Sequence, residues 1–256
     1  MILNEQQIES MKTGGKILAS IIRQLIGDVK PGVTTKSLAQ KARDLLSAHT
    51  DVEPSFLGVN GYTDNICLSV NDEAVHALPS DRVLQEGDLL KIDFGLKYQG
   101  LHVDSAVTVL VSSSGSVRNA FKSEYAQRRK LIQATRDALV AGIKAARAGN
   151  TIQDIGRAVS DVVVGNGFTV VKELGGHGIG HNLHEDPFIP NYPDGDFKHP
   201  LEPGMAIAIE PITAIGDWRI KESSDGFGFC MKDGSLSAHF EHTIIITDKA
   251  PIVVTQ

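Results

Sequence analysis

The chain has 256 residues, a hydrophobic fraction of 41% and a mean hydropathy of -0.06, enough apolar material for one large domain or two fused halves. A net charge of -6, with no basic run longer than Arg128-Arg129-Lys130, argues against a nucleic-acid partner, and nothing in the chain reads as a membrane segment. The two cysteines, Cys67 and Cys230, lie far apart, and "MILNEQQIESMKTGGK" has neither a charged n-region nor an apolar h-region, so a reduced, cytoplasmic chain is expected.

Hydrophobic periodicity predicts helices near 4–28 and 34–49, then strands near 65–71, 88–96 and 101–111. The Ser/Gly-rich "VSSSGS" at 111–116 marks a weak boundary, after which a charged helical run begins near Asn119. Helices near 119–147 and 151–166 and strands near 168–174, 205–212 and 237–247 complete an α+β chain. Sliding the second half back by 117 residues lays "AGNTIQDIGRAVSDVV" over "PGVTTKSLAQKARDLL", and the same offset lays "PGMAIAIEP" over "EGDLLKIDF", so that Glu210 falls on Asp93. This repeat predicts one domain, 1–256, of two pseudo-symmetric halves, about 1–116 and 117–256. Their sheets should join into one curved surface backed by helices, and strand-end acids from both halves should converge.

"LLKIDFGLKYQGLHVDSAVTVLV" reads as a hairpin. With Tyr98 and Gln99 as the turn, opposed residues sum to 197 and Asp93 faces Asp104, two carboxylates about 5 Å apart that destabilise a sheet unless a cation sits between them or one of them is exposed. Glu210 closes the apolar run "MAIAIEP", and Glu241 sits inside "LSAHFEHTIIIT" between His239 and His242, which an exposed strand edge explains nearly as well as a site does. In "GGHGIGHNLHED", 175–186, the glycine spacing fails for a phosphate loop. "GIG" between His177 and His181 is poor helix material, so a ligand there sits on extended or looped backbone. Four acids with one imidazole supply the charge for two divalent cations, an arrangement that activates water for hydrolysis.

Together, "ICLSVNDEAVHALP", "KIDFG" followed by "HVDS", "GGHGIGHNLHEDP", "PGMAIAIEP" and "DGSLSAHFEHT" resemble, over nearly the whole chain, the type I methionine aminopeptidases of the pita-bread fold. That resemblance implies metal ligation by Asp93, Asp104, His177, Glu210 and Glu241, with Asp104 and Glu241 bridging two ions. It also implies that His76 contacts the scissile nitrogen, that His184 stabilises the oxyanion, and that Glu210 shuttles the proton of the attacking water. His181 matches no ligand position. The expected cofactor is two divalent ions (Mn, Fe, Co or Zn), the carboxylate-rich donors favouring the first three over a structural zinc. An apolar pocket of Phe56, Tyr62, Cys67, Leu183 and Phe227 should take a methionine side chain.

Departures from the family pattern fall in that pocket: "ALP" at 77–79, Val59, Leu183 and Phe227 stand where other residues are common, and the only tryptophan is Trp218. The implied function is removal of initiator methionine from nascent polypeptides, in the cytoplasm and at the ribosome, by a monomer needing neither nucleic acid nor membrane. The competing expectations are an Xaa-Pro aminopeptidase of the same fold and a non-catalytic peptide-binding module.

Overall fold

A computed structural model of the chain describes residues 1–113 and 123–256. In chain order the elements are α1 (Glu5–Asp28), α2 (Thr35–Ser47), β1 (Val52–Pro54), β2 (Ile66–Val70), β3 (Glu73–Val75), β4 (Leu89–Tyr98) and β5 (Leu101–Leu110). There follow α3 (Ser123–Ala145), α4 (Ile152–Gly165), β6 (Thr169–Val170), β7 (Gly175–Gly178), β8 (Glu185–Pro190), β9 (Ala206–Ile209) and β10 (Ile212–Ala214). The last are β11 (Ile220–Glu222), β12 (Phe229–Met231), β13 (Ser237–His239), β14 (Glu241–Ile245) and β15 (Ile252–Val253). The Ser/Gly-rich boundary from residue 114 onward and the expected helix start near Asn119 lie outside the described residues.

Local chemistry accounts for the helix starts. Asn4 and Gln7 form a reciprocal cap on α1, each side chain accepting the other's backbone N–H at 2.9 Å. Thr34 accepts from Ser37 N ahead of α2, and Thr151 with Asp154 caps α4, two threonines separated by the repeat interval. The turn glycines Gly32 and Gly149, and Gly87 and Gly204, recur at that interval, each with a φ between 87° and 90°. The buried face of α1 lies on β4 and β5; a Cβ on Gly15 would stand 1.9 Å from Val254 O, so only glycine permits this approach.

Among the described residues the main sheet has nine antiparallel strands in the order β1-β4-β5-β14-β9-β7-β8, with β2 also on β4 and β15 on β14. Two three-stranded sheets, β13-β10-β6 and β11-β12-β3, flank it. One apolar core joins α1 and α2 to β2, β4 and β5, and a second joins α3 and α4 to β9 and β14.

The strand predictions are corrected in three respects. The β4–β5 turn is Gln99-Gly100, with φ of 49° and 81°, so paired residues sum to 199 and not 197. Asp93 therefore faces Ala106 and Asp104 faces Gly95, which makes the two acids diagonal neighbours on one face. The predicted strands 205–212 and 237–247 are each broken, into β9 and β10 and into β13 and β14. Pro211 has no N–H for the ladder, and the paired chains leave the main sheet together: Ile209 pairs His242 and Ile212 pairs His239, both summing to 451. Continuing that sum between the two pairs sets Glu210 against Glu241, which on its other side pairs with Ala106 of β5. The predicted strand 168–174 shortens to β6, and β7 takes up the chain at Gly175.

Candidate metal centre and substrate pocket

Successive strands of the main sheet each contribute one metal-type donor: Asp93 on β4, Asp104 on β5, Glu241 on β14, Glu210 just past β9 and His177 on β7. Gly95 makes room among them, since a Cβ there would meet Asp104 Oδ1 at 3.2 Å and Phe56 Cε1 at 2.8 Å. Backbone and hydroxyl contacts fix the strands that carry these donors. Ser105 N donates to Asp104 Oδ1 at 2.8 Å, Thr243 Oγ1 donates to Asp104 O at 2.8 Å, Ser105 Oγ donates to Glu241 O at 2.8 Å and Asn191 Nδ2 donates to Glu210 O at 2.8 Å. His177 Nδ1 lies 2.9 Å from Gly178 O, which can only accept, so Nδ1 carries the proton and Nε2 keeps a free lone pair, 3.6 Å from Glu210 Oε1.

The electrostatics of this floor are unfavourable without a cation. Asp93, Asp104 and Glu241 are at most 6% exposed, and among the described residues the acids' ion-pair contacts are to His177 and His239 only. Burial, then mutual repulsion, pushes Asp93, Glu210 and Glu241 well above the usual carboxylate range. Burial raises Asp104 to about 7 against the Ser105 N–H, which lowers it. Asp93 Oδ1 and Glu241 Oε1 are buried without a hydrogen bond. Donor atoms of Asp104, His177 and Glu241 lie within 4.8 Å of one another, close to the ~4 Å span of donors held by bonds of 2.0–2.2 Å. The residues fit a divalent cation.

Above this floor opens a cavity of about 320 Å³ whose lining contains all five donors and every pocket residue expected from the sequence: Phe56, Tyr62, Cys67, His76, Leu183, His184 and Phe227. Tyr62 packs edge-on against Phe227, with ring centres 5.5 Å apart, and its hydroxyl hydrogen-bonds Ile66 O and Ala77 O, which fixes that wall. His184 packs edge-on against His177 at 4.4 Å and is otherwise exposed. His76 adopts a φ of 60°, strained for a non-glycine residue, and burial lowers its pKa to about 4. His181 is exposed beside Gly100 O and outside the lining.

The lining also includes Val59, Asn60, Gly226 and Phe229. Only Val59 stood out in the sequence, and as a departure; Phe229 packs against His76 with ring centres 6.1 Å apart. The exposed-edge reading of His239 and His242 is overturned. His239 is 1% exposed, with Nε2 at 3.5 Å from Glu210 Oε2 and 4.0 Å from Glu241 Oε2, and His242 hydrogen-bonds Thr255 Oγ1. Lys91, also 1% exposed, is a further charged residue missed by sequence reasoning. Burial lowers it to about 7 while Glu73 and Asp72 raise it, and its Nζ faces three oxygen acceptors, an arrangement that calls for the ammonium form.

The sequence profile of metallopeptidase family M24 matches residues 9–248. The chain belongs to that family. It is 38% identical to the methionine aminopeptidase of Aquifex aeolicus (strain VF5), over 100% of this chain and 98% of the relative. It is also 38% identical to methionine aminopeptidase 1 of Bacillus subtilis (strain 168), over 98% of this chain and 97% of the relative. The crystal structure of the Thermotoga maritima methionine aminopeptidase superposes with a TM-score of 0.92 at 36% identity, covering 100% of this chain and 99% of that one. The prolidase of Pyrococcus furiosus, at 21% identity and a TM-score of 0.75, covers 100% of this chain and 65% of its own, and shares the fold alone. The architecture is the pita-bread fold, a mixed α+β arrangement of curved antiparallel sheet and four described helices. Among the described residues no helix is long and apolar enough to cross a membrane.

Proposed function

We propose that this metallopeptidase removes the N-terminal methionine from polypeptides, and that Asp93, Asp104, His177, Glu210 and Glu241 would hold two divalent ions. The observation that carries the reading is the convergence of five donors from five adjacent strands on the floor of a cavity of about 320 Å³ with Phe56, Tyr62, Cys67, Leu183 and Phe227 on its walls. When bound, such ions supply Lewis acidity and make water nucleophilic at neutral pH. The chain's own groups do the rest. Phe56, Tyr62, Cys67, Leu183 and Phe227 surround the methionine side chain, whose flexible thioether suits an irregular apolar site. His184 donates to the oxygen of the scissile carbonyl as negative charge develops there, and Glu210 takes the proton of the attacking water and returns it to the leaving amine. His76 contacts the scissile nitrogen, and its strained backbone is the kind of conformation that persists where a site over-determines it.

Crowding near His76 limits the second residue, because displacing the carbonyl by about 1 Å can cost a hundredfold. We also infer that the catalytic domain is a duplication, about 1–116 and 117–256, in which Asp93 and Glu210 are equivalent acids; the recurrence of caps and turn glycines supports this. A monomer acting in the cytoplasm on nascent chains at the ribosome, with Mn, Fe, Co or Zn as the metal, completes the proposal.

The test is metal analysis of protein purified without chelator, with release assays on Met-Ala-Ser, Met-Ile-Leu and Ala-Pro-Ser. The expected result is two ions per chain, fast cleavage of Met-Ala-Ser, little of Met-Ile-Leu and none of Ala-Pro-Ser. Faster release from Ala-Pro-Ser would replace the reading with a proline-specific one, and no cleavage of any peptide by fully loaded protein would favour a binding module.

A further inference from the structure

Lys91 belongs to no step above, yet its side chain is among the largest fully buried ones in the described chain. It lies on β4 two residues before Asp93 and on the same face, directly opposite Thr108 of β5. Its Nζ donates to Asn71 O at 2.7 Å, Ser237 Oγ at 3.1 Å and Ser237 O at 3.3 Å, which uses all three ammonium protons. Ser237 N donates to Asn71 O at 3.0 Å, and Ser237 Oγ lies within hydrogen-bond distance of Asn71 O and Glu73 O. Across the hairpin, Thr108 Oγ1 donates to His239 O at 2.7 Å and accepts from His239 N at 2.8 Å. The rung Lys91–Thr108 therefore grips β13 from beneath, beside the rungs that carry Asp93 and Asp104.

Two site segments leave this knot. From Asn71 the chain runs through β3 to His76, and from Ser237 it runs through β13 to Glu241. Two backbone carbonyls and one hydroxyl converge here; Ser237 N and Oγ already meet Asn71 O, and the ammonium adds a donor to each of the three oxygens from a single point.

We propose that Lys91 is a positioning residue whose ammonium serves as a built-in cation, tying the segment that carries His76 to the segment that leads into Glu241. It thereby sets the distance between the group that meets the scissile nitrogen and one wall of the donor cluster. The inference rests on the peptidase reading for its kinetic readout, and wild-type activity on Met-Ala-Ser is the control that separates failure of that reading from failure of this one.

The experiment uses full-length, metal-loaded protein. Lys91→Met, close in volume but without donors, should lower kcat at least tenfold while KM and bound metal stay within about twofold. Lys91→Ala leaves a hole lined by the same oxygens, so ammonium or methylammonium chloride should restore its kcat severalfold. Tetramethylammonium chloride at equal ionic strength should not restore it, and Lys91→Met, whose side chain fills the hole, should gain nothing from any of the three salts. Wild-type kcat in Lys91→Met, or a Lys91→Ala variant indifferent to ammonium and methylammonium, would overturn the proposal. So would a loss of activity matched by loss of metal, which would place Lys91 in support of the donors alone. If the Lys91 variants do not fold, Ser237→Ala removes one acceptor and the bridge to Asn71 and Glu73. It should lower kcat severalfold at unchanged KM, and unchanged kcat would refute the inference.

Discussion

Replacing Asp104 by Asn in metal-free protein should raise its stability relative to wild type, by an amount that grows with pH. Asp104 ionises near 3.8 in the unfolded chain and near 7 in the folded one, chiefly because it is buried. The sign follows from the raised folded value: the group favours folding fully only below its unfolded pKa, and this stability is lost as pH rises through about 7. A rise of about three pH units at 1.36 kcal/mol each is on the order of 4 kcal/mol, of which roughly 2–3 kcal/mol accrues between pH 5 and pH 8. For a chain of this size that corresponds to about 5–10 °C in Tm. His76, His177 and His239, lowered by burial to between about 3 and 4, work in the opposite direction, their stability being lost as pH falls below their unfolded value. They are present in both proteins and cancel in the difference. Asn keeps an oxygen for Ser105 N, so the comparison isolates the charge. Calorimetry of chelated wild type and Asp104→Asn at pH 5, 6.5 and 8 measures the gap, and Mn or Co should stabilise wild type far more than the variant at pH 8. A gap that stays constant or narrows with pH would refute the electrostatic account of the cluster.

Gly95→Ala should lower metal affinity and turnover and cost about 1–3 kcal/mol, because the added Cβ meets Phe56 and Asp104 at 2.8 and 3.2 Å; metal titration and thermal melting check both. His184→Ala should keep its metal and lose roughly a hundredfold in kcat, as removal of one oxyanion donor does, whereas exposed His181→Ala should turn over like wild type. Wild-type kinetics in His184→Ala would remove that residue from the mechanism.

What the sequence expressed about the fold was mostly local. α1, α2 and α4 are legible because Asn4, Thr34 and Thr151 precede amphipathic runs with cap chemistry, and both ends of each, with the C-terminal end of α3, fall within two residues of their predicted places. The hairpin register was misread for a local reason too: without Asn-Gly, nothing marks Gln99 as a residue that will adopt positive φ, so the turn was set one residue early and the pairing sum two too low. The break at Glu210-Pro211 carried its own signal in the proline. Its matching break at Phe240 carried none, because that chain turns away only to stay paired with the first. β8, polar and proline-containing, has no period-2 pattern and owes its place to β7.

The site divides along the same line. Asp93, Asp104, Glu210 and Glu241 were legible because a carboxylate inside an apolar strand must find a partner, and four of them in such strands can share cations. Lys91 gives the same signal in the same stretch, "LLKIDFG", without a legible partner, because two of its three acceptors are backbone oxygens 20 and 146 residues away, and a carbonyl has no letter of its own in a sequence. His239 stays open between strand edge and site for a related reason: period-2 alternation places it on a face, but only the joint departure of β10 and β13 from the main sheet turns that face toward Glu210. A buried charge in a strand thus announces that a counterpart exists. Whether the counterpart is a metal, another side chain or the bare backbone is decided by which segments the topology brings across it, and here the rungs of one hairpin meet two of those answers: ion-ready acids at Asp93 and Asp104, and backbone oxygens at Lys91.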